Sequence, residues 1–533
     1  MTSSESDTAP NAPLGAAAAE KERRRRAALL ASVFVIGACG LLYELVAGAV
    51  ASYLMGDAVA QYSLVIGVFL AAMGLGAYLT RWMTRRLLET FLYLQILIGV
   101  IGGSSSLMLF AAFGYAGNIT PHVLGLSTLC GALVGMEIPL VLRILRGAGS
   151  LRINVSQVLA LDYFGALAAS IAFPFFILPR LGLVRAALAI GSLNLLVAAL
   201  GWMLFRQELR RPNRLLAALL LASGLLGLGW IVSSKATAWF EDMLYQDEII
   251  YAETTPYQRI VITRWRDDIR LHLDGHLQFS STDEHRYHES LTLPALGWAK
   301  EAKRALVLGG GDGLAARELL RHPQLELLDL VDLDPRVVRL FQQSPLLRRL
   351  NANSLHDRRL RYHAEDAFAY LREHRDLKYD VIVADLPDPS DARLNKLYTD
   401  VFYGLALRNL SEHGVLVTQA TSPFYAREAF WCIARTMQAA VEKHQKAGGP
   451  ARRIIPYHVH VPSFGDWGFV LAVPADAPSE CRLPWQGRFL TEEIFAAARR
   501  FPPDSGPVTT GVNQIDNPIL IRYHRQGWAH WNE

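Results

Sequence analysis

The chain has 533 residues, is 51% hydrophobic and carries a formal net charge of +4. That length excludes a single ordinary domain, and the hydrophobic share exceeds that of a typical globular chain. The near-neutral balance averages two unlike halves, apolar over residues 27–232 and soluble in composition from 233, and gives no sign of a nucleic-acid partner.

Residues 1–22 are rich in Ala, Ser, Thr and Pro, and together with the basic run "KERRRR" they read as a disordered tail over 1–26. The apolar stretch behind that run is far too long for the core of a cleaved signal peptide. Seven stretches suit membrane-spanning helices: about 27–54, 58–80, 89–114, 119–142, 155–178, 184–205 and 214–232. A span needs roughly 20 apolar residues. So many long runs without a polar face argue against an ordinary helical core. Arginines gather at Arg23 to Arg26, then Arg81, Arg85 and Arg86, then Arg143, Arg146 and Arg152, then Arg206, Arg210, Arg211 and Arg214. All fall on one side if every run crosses, and the positive-inside rule makes that side, with the N-terminus, cytoplasmic. The expectation is a multi-pass protein of the cell membrane with the lipid bilayer as a partner. Seven crossings would leave residue 233 on the far side; either one run does not cross or the soluble half is external. Glu44, Glu137 and Asp162 lie within apolar runs. A carboxylate there marks a cation path or bonds to a neighbouring helix. The four cysteines, Cys39, Cys130, Cys432 and Cys481, lack the paired spacing of a disulfide framework or a zinc site.

Residues 250–279 alternate as strands do, "QRIVITRW" then "IRLHLDGHLQF", with "LDGH" as a hairpin turn. A small β subdomain with its linker is expected over 233–300. From 304 strands alternate with helices: "RALVLGGG", "DGLAARELLRH", "LELLDLVDLDP", "RVVRLFQQ", "LRYHAED", "AFAYLREH", "YDVIVADLPDP", "DVFYGLALRNL" and "GVLVTQA". This predicts an α/β doubly wound, Rossmann-like domain of the class I methyltransferase type over 301–533. Ligands in such sheets bind outside the carboxyl ends of the strands.

The candidate motifs, acids and one glycine turn, all sit at such ends. "GGGDG" at 309–313 lacks both the G-x-G-x-x-G spacing and a P-loop lysine. Asp332, ending the second strand, suits a pair of ribose hydroxyls, whereas Asp334 before Pro335 suits a helix cap. Asp366 suits the exocyclic amine of adenine, or the cap of a helix over 367–373. Asp312 projects towards the tail of a bound nucleoside sulfonium. It would repel the carboxylate of S-adenosylmethionine and attract the bare ammonium of the decarboxylated compound, so it selects the latter. Asp385 and Asp388 in "DLPDP" suit a protonated amine acceptor: Asp385 as the general base, Asp388 orienting the acceptor. The alternative there is an Asx-turn before Pro389.

These residues resemble the spermidine synthase (polyamine aminopropyltransferase) family, in its membrane-embedded branch. The resemblance rests on "PYQRIV" at 256–261, "LDGHLQ" at 273–278, "DEHRYHE" at 283–289, "GGGDG", Asp332, and "DLPDP" with "LY" at 397–398. It implies Gln258 at the nucleoside end of the donor, Asp312 at its amine, Asp332 at the ribose, and Asp366 with the backbone of Ala367 at the adenine. It implies Tyr287 and His288 on the acceptor side, Gln278 near the same cleft, and Asp385 as proton acceptor. Ala392 stands where the family has a proline, "DLPDP" replaces a Ser/Thr-rich core, and Phe464 stands where an aromatic hydroxyl is usual.

The implied reaction is displacement at the carbon beside the sulfonium by a diamine, putrescine first among candidates, giving spermidine and methylthioadenosine. No metal and no cofactor beyond the decarboxylated S-adenosylmethionine co-substrate is implied, and Glu289 joins the acids facing cationic substrates. The resemblance also allows a homodimer. Two other readings are an S-adenosylmethionine-dependent methyltransferase and a membrane polyamine transporter or sensor with a soluble binding module.

Overall fold

The computed structural model describes residues 13–55, 58–115, 118–147, 150–245, 247–390 and 392–531, and it forms two compact units, the second beginning at Asp247. In the first unit, long apolar runs with few helix breakers give eight helices among the described residues: α1 (Pro13–Met55), α2 (Ala58–Leu79), α3 (Leu87–Tyr115), α4 (Thr120–Gly135), α5 (Glu137–Ile144), α6 (Leu151–Ala172), α7 (Leu178–Phe205) and α8 (Pro212–Tyr245). Pro13 stands at the first position of α1, and strong helix formers (Ala, Glu, Lys and Arg) follow it. Residues 13–26, expected in a disordered tail, are therefore helical; residues 1–12 lie outside the described residues.

Among the described residues, six helical stretches are long and apolar enough to cross a membrane. One of them, Arg152–Phe205, has 54 residues. A straight helix of that length would reach about 80 Å, far beyond a hydrocarbon core of about 30 Å. Gly182 interrupts it at φ +68°, a conformation open to glycine, so the stretch holds two helical runs. Leu70, Phe164, Phe175, Leu221 and Ile231 are each more than half exposed on the outer faces of these helices. A water-exposed bundle would carry polar residues there. Inside, one chain of hydrogen bonds ties four helices together. Tyr43 donates to Asn194 Oδ1 at 2.8 Å, Asn194 Nδ2 to Gln95 Oε1 at 2.8 Å, and Gln95 Nε2 to Glu137 Oε1 at 2.5 Å. Glu137 thus has its partner on a neighbouring helix.

In the second unit, alternating residues build an antiparallel sheet in the order β1 (Glu248–Thr254), β2 (Arg259–Trp265), β3 (Asp268–Leu273) and β4 (His276–Ser280). Asp274 and Gly275 turn the β3–β4 hairpin with positive φ, as its "DG" sequence requires. Residues 233–245, expected as linker, instead complete α8. Their sequence has no Pro or Gly to stop the helix.

After α9 (Glu284–Trp298) the chain alternates: β5 (Arg304–Gly309), α10 (Leu314–Leu320), β6 (Leu327–Val331), α11 (Pro335–Gln343), α12 (Pro345–Leu350), β7 (Leu360–His363), α13 (Ala367–Glu373), β8 (Tyr379–Asp385), α14 (Ala392–Asn395), α15 (Asp400–Arg408), β9 (Leu410–Gln419) and α16 (Arg427–Lys446). It closes with β10 (Arg452–Val461), β11 (Gly465–Pro474), α17 (Glu492–Ala498) and α18 (Ile519–Ala529). The seven strands run β10-β11-β9-β8-β5-β6-β7. The five from β9 to β7 are parallel, and β11 and β10 are antiparallel additions. Strand cores such as Ala305–Leu308 and Val381–Ala384 are fully buried, as strands covered on both faces must be. Helix α9 packs on this sheet's core through Leu291, Leu293 and Leu296, so the α/β layer starts before residue 301. Strand order reverses between β5 and β8, and that switch point aims their carboxyl ends at a common crevice.

Candidate active site

The glycine turn and the "DLPDP" loop meet because β5 pairs with β8, Gly309 opposite Asp385. Gly309 has φ +83°, and a Cβ on it would stand 1.9 Å from the Asp385 carbonyl oxygen. Only glycine fits, and the fit seats Asp312 beside Asp385. Asp312 Oδ1 accepts from the Leu314 amide at 2.9 Å, the opening of α10. No protein donor among the described residues reaches its other oxygen. Burial, then the Asp385 carboxylate, pushes its carboxyl up to about 6, against the pull of His288. Asp385 Oδ1 accepts from the Tyr287 hydroxyl at 2.8 Å. Burial raises this carboxyl too, with His288 and Tyr287 opposing.

Tyr287 and His288 come from α9, and a pair the sequence reading missed fixes them. His288 Nδ1 donates to the Glu284 carbonyl at 2.8 Å and to Glu284 Oε2 at 2.9 Å. Arg317 of α10 grips Glu284 with two bonds of 2.8 and 2.9 Å. Burial alone would lower the imidazole, but Glu284, then Asp385 and Asp312, push it up to about 9. Glu284 itself is drawn down to about 2: burial would raise it, and the bonds and charges of His288 and Arg317 prevail. His288 is therefore a cation set among carboxylates. The sequence signal was present in the helical spacing of Glu284 and His288, one turn apart. Phe464 lies at the edge of the Tyr287 ring, 6.0 Å between centroids.

Glu289 does not join this cleft. It is buried, and it accepts from the backbone amides of Arg488, Phe489 and Leu490 at 2.7, 2.8 and 2.9 Å. Successive helix residues are turned by about 100°, so a neighbour of His288 faces elsewhere. Its work is to anchor a loop.

On the β6–β7 side, Asp332 Oδ2 accepts from Gly311 at 3.0 Å and Oδ1 from Asp334 at 2.9 Å. The carboxylate braces the glycine turn from the side, and burial pushes it up to about 6. Asp334 caps α11 through the Arg336 amide at 3.0 Å and receives Gln258 Nε2 at 3.1 Å. Gln258 thus lies beside the second-strand acids. Asp366 caps α13 through the Ala369 amide at 3.0 Å, and its second oxygen pairs with Lys396 at 2.6 Å. The capping alternative is what the geometry holds, and a nucleobase would share this carboxylate. Ala367 opens α13, its backbone beside that cap.

Asp388 forms no side-chain Asx-turn. Its carboxylate accepts from Gln419 Nε2 at 3.2 Å, Thr421 Oγ1 at 3.0 Å and His524 Nε2 at 3.2 Å. Tyr398, of the "LY" pair, donates to the carbonyls of Leu386 and Pro387 and so pins the loop. Among the described residues, Gln278 bonds only to the His276 carbonyl of its own strand, at 3.1 Å, and no hydrogen bond joins it to these groups. The Ala392 side chain lies outside the described residues.

A doubly wound sheet whose switch point gathers several acids near one buried histidine suits an enzyme that handles small cationic molecules. The Spermine/spermidine synthase domain family matches residues 284–478. A polyamine aminopropyltransferase of Leptospira interrogans is 43% identical over 504 residues, covering 94% of this chain and 98% of its own. Polyamine aminopropyltransferase 2 of Ralstonia nicotianae is 44% identical with the same coverage. The crystal structure of spermidine synthase from Thermotoga maritima is 24% identical, with a TM-score of 0.42 over 48% of this chain and 85% of its own. The chain belongs to the spermine/spermidine synthase family and is an enzyme, a polyamine aminopropyltransferase. Neither curated relative is named a methyltransferase or a transporter.

Proposed function

We propose that the chain transfers the aminopropyl group of decarboxylated S-adenosylmethionine to putrescine, giving spermidine and methylthioadenosine. The carrying observation is that the two acid-bearing loops meet: Gly309 pairs with Asp385 across β5 and β8, and Asp312 follows in the glycine turn three residues on. One carboxylate receives the donor's ammonium, and the other stands where the acceptor's nitrogen must lose a proton. In this reading Asp332 and Gln258 hold the ribose side of the donor, and Asp366 with the Ala367 backbone holds the adenine. Tyr287 and Asp388 hold the diamine, His288 acts on the acceptor side through the carboxylates it neutralises, and Gln278 is assigned to the outer part of the same cleft.

The acceptor ammonium gives its proton to Asp385, whose burial makes it a stronger base than a surface aspartate. The freed nitrogen attacks the methylene carbon beside sulfur. The carbon–sulfur bond breaks, its electron pair returns to sulfur, and methylthioadenosine leaves as a neutral thioether. Tyr287 orients Asp385, and the cationic His288 keeps two neighbouring carboxylates tolerable in one cleft. The helical unit serves as a multi-pass anchor in the cell membrane with its N-terminus cytoplasmic, a reading supported by its outward apolar side chains and one-sided arginines.

The test is release of methylthioadenosine by the full-length protein given the decarboxylated donor and a panel of diamines, with Asp385→Asn as control. Putrescine is expected to give the highest kcat/KM, and the variant to lose roughly 100-fold or more in kcat. Methyl transfer from the carboxylated donor, or undiminished turnover by the variant, would overturn the proposal.

A further inference from the structure

The matched family domain ends at residue 478, yet one side chain on the acceptor carboxylate comes from α18, far beyond it. His524 is buried and donates from Nε2 to Asp388 Oδ2 at 3.2 Å. A carboxylate only accepts, so this bond fixes the proton of a neutral imidazole on Nε2. Thr421 takes the same oxygen at 3.0 Å, and Gln419 takes Oδ1 at 3.2 Å. Oδ2 is thus doubly engaged, and Oδ1 is the less engaged oxygen.

The placement of α18 is tightly determined. Gly527 packs so closely on the 425–426 segment that a Cβ there would stand 2.6 Å from Ala426 Cα and 2.8 Å from the Tyr425 carbonyl oxygen. Leu520 is fully buried in the core beneath α16. Asn513, leading into the helix, donates from Nδ2 to the Tyr398 carbonyl at 3.1 Å and accepts from the Leu520 amide at 3.3 Å. Tyr398 in turn pins Leu386 and Pro387. The C-terminal segment therefore grips the "DLPDP" loop twice, once through Tyr398 and once through Asp388.

We propose that His524 is a positioning residue for the diamine: it turns Asp388 so that Oδ1 meets the acceptor's distal ammonium, and α18 closes that end of the cleft. The inference rests on the proposed role of Asp388 as acceptor holder. It is tested in the full-length protein with His524→Ala, His524→Gln, Gly527→Ala and Asp388→Asn. Readouts are KM and kcat for putrescine, and donor affinity by calorimetry. A lost hydrogen bond to a charged group corresponds to a rise in putrescine KM of roughly tenfold for His524→Ala. Donor affinity should stay constant, and His524→Gln, which keeps an amide donor, should recover most of the loss. Gly527→Ala, which forces α18 away from residues 425–426, should raise KM in the same way even if His524→Ala does not fold. A raised KM in Asp388→Asn with an unchanged KM in both His524→Ala and Gly527→Ala overturns the role of His524 alone. An unchanged KM in Asp388→Asn overturns the reading of Asp388 beneath it. Equal weakening of donor and diamine would mark general disruption and also overturn the inference.

Discussion

Asp312→Asn is the most informative single change. The amide keeps an oxygen for the Leu314 amide, so the glycine turn and the start of α10 survive. What disappears, on the proposed assignment, is a carboxylate charge facing the donor's ammonium. Removing one partner of a buried pair costs about 3–5 kcal/mol. Asp312 is only half-buried, so the lower figure applies. About 3 kcal/mol corresponds to a loss of roughly 100-fold in affinity for decarboxylated S-adenosylmethionine. The carboxylated compound should behave oppositely. At about 4 Å and an effective dielectric constant near 20, two like charges repel by about 4 kcal/mol, and the variant removes that term. Titration calorimetry with both donors on both proteins reads the two effects separately. The wild type should prefer the decarboxylated donor strongly, and the variant should discriminate little. A variant that keeps the wild-type preference would refute the assignment of selectivity to this side chain.

Two further outcomes concern the acids of α9. His288 is raised from its ordinary 6.5 to about 9, so its contribution to stability is present below about 6.5 and is lost as pH rises through 9. Thermal melts between those values should show the wild type losing stability with rising pH. Glu284→Gln, which removes the chief group holding the proton, should flatten that dependence, and an unaltered slope would dismiss the Glu284–His288 pair as its origin. Glu289→Gln should lower stability by about 1–3 kcal/mol, because one of its oxygens no longer accepts from the 488–490 amides. Diamine KM should not move; a raised KM would return Glu289 to the substrate cleft.

The parts of the fold legible in the sequence are those set by local pattern. The β2–β3–β4 hairpins follow from alternation and the "DG" turn, and β5 to β9 from short apolar runs, the first four of them ending in acids or glycines. Asp334 as a cap rather than a ligand was legible from the proline behind it. What eluded the sequence was set by tertiary contact. Glu289 looks like a cleft acid until the helix phase sends it to a loop 200 residues away in the chain. Asp388 gains Thr421 from beyond β9 and His524 from α18, neither of which any local motif marks. Lys396 reaches Asp366 only because the segment after β8 folds back over the end of β7. Gly182 breaks one long helical stretch through a backbone angle, three residues after Pro179.

The charges of the cleft explain why burial is tolerable there at all. Asp312, Asp332 and Asp385 are each raised by desolvation, so the ionised site is costly and His288 alone does not balance it. On the proposed mechanism the substrates bring the missing cations: the donor's ammonium and sulfonium, and two ammonium groups on the diamine. Once Asp385 takes a proton, the positive charge on sulfur moves to the newly alkylated nitrogen as the carbon–sulfur bond breaks. It thus arrives beside Asp385, while the departing thioether is neutral and leaves no charge behind in the nucleoside pocket. A donor bearing a carboxylate would add a further negative charge to carboxyls already held above their ordinary range. On that mechanism the glycine turn that carries Asp312 to the neighbourhood of Asp385 governs which donor enters and where the charge can go.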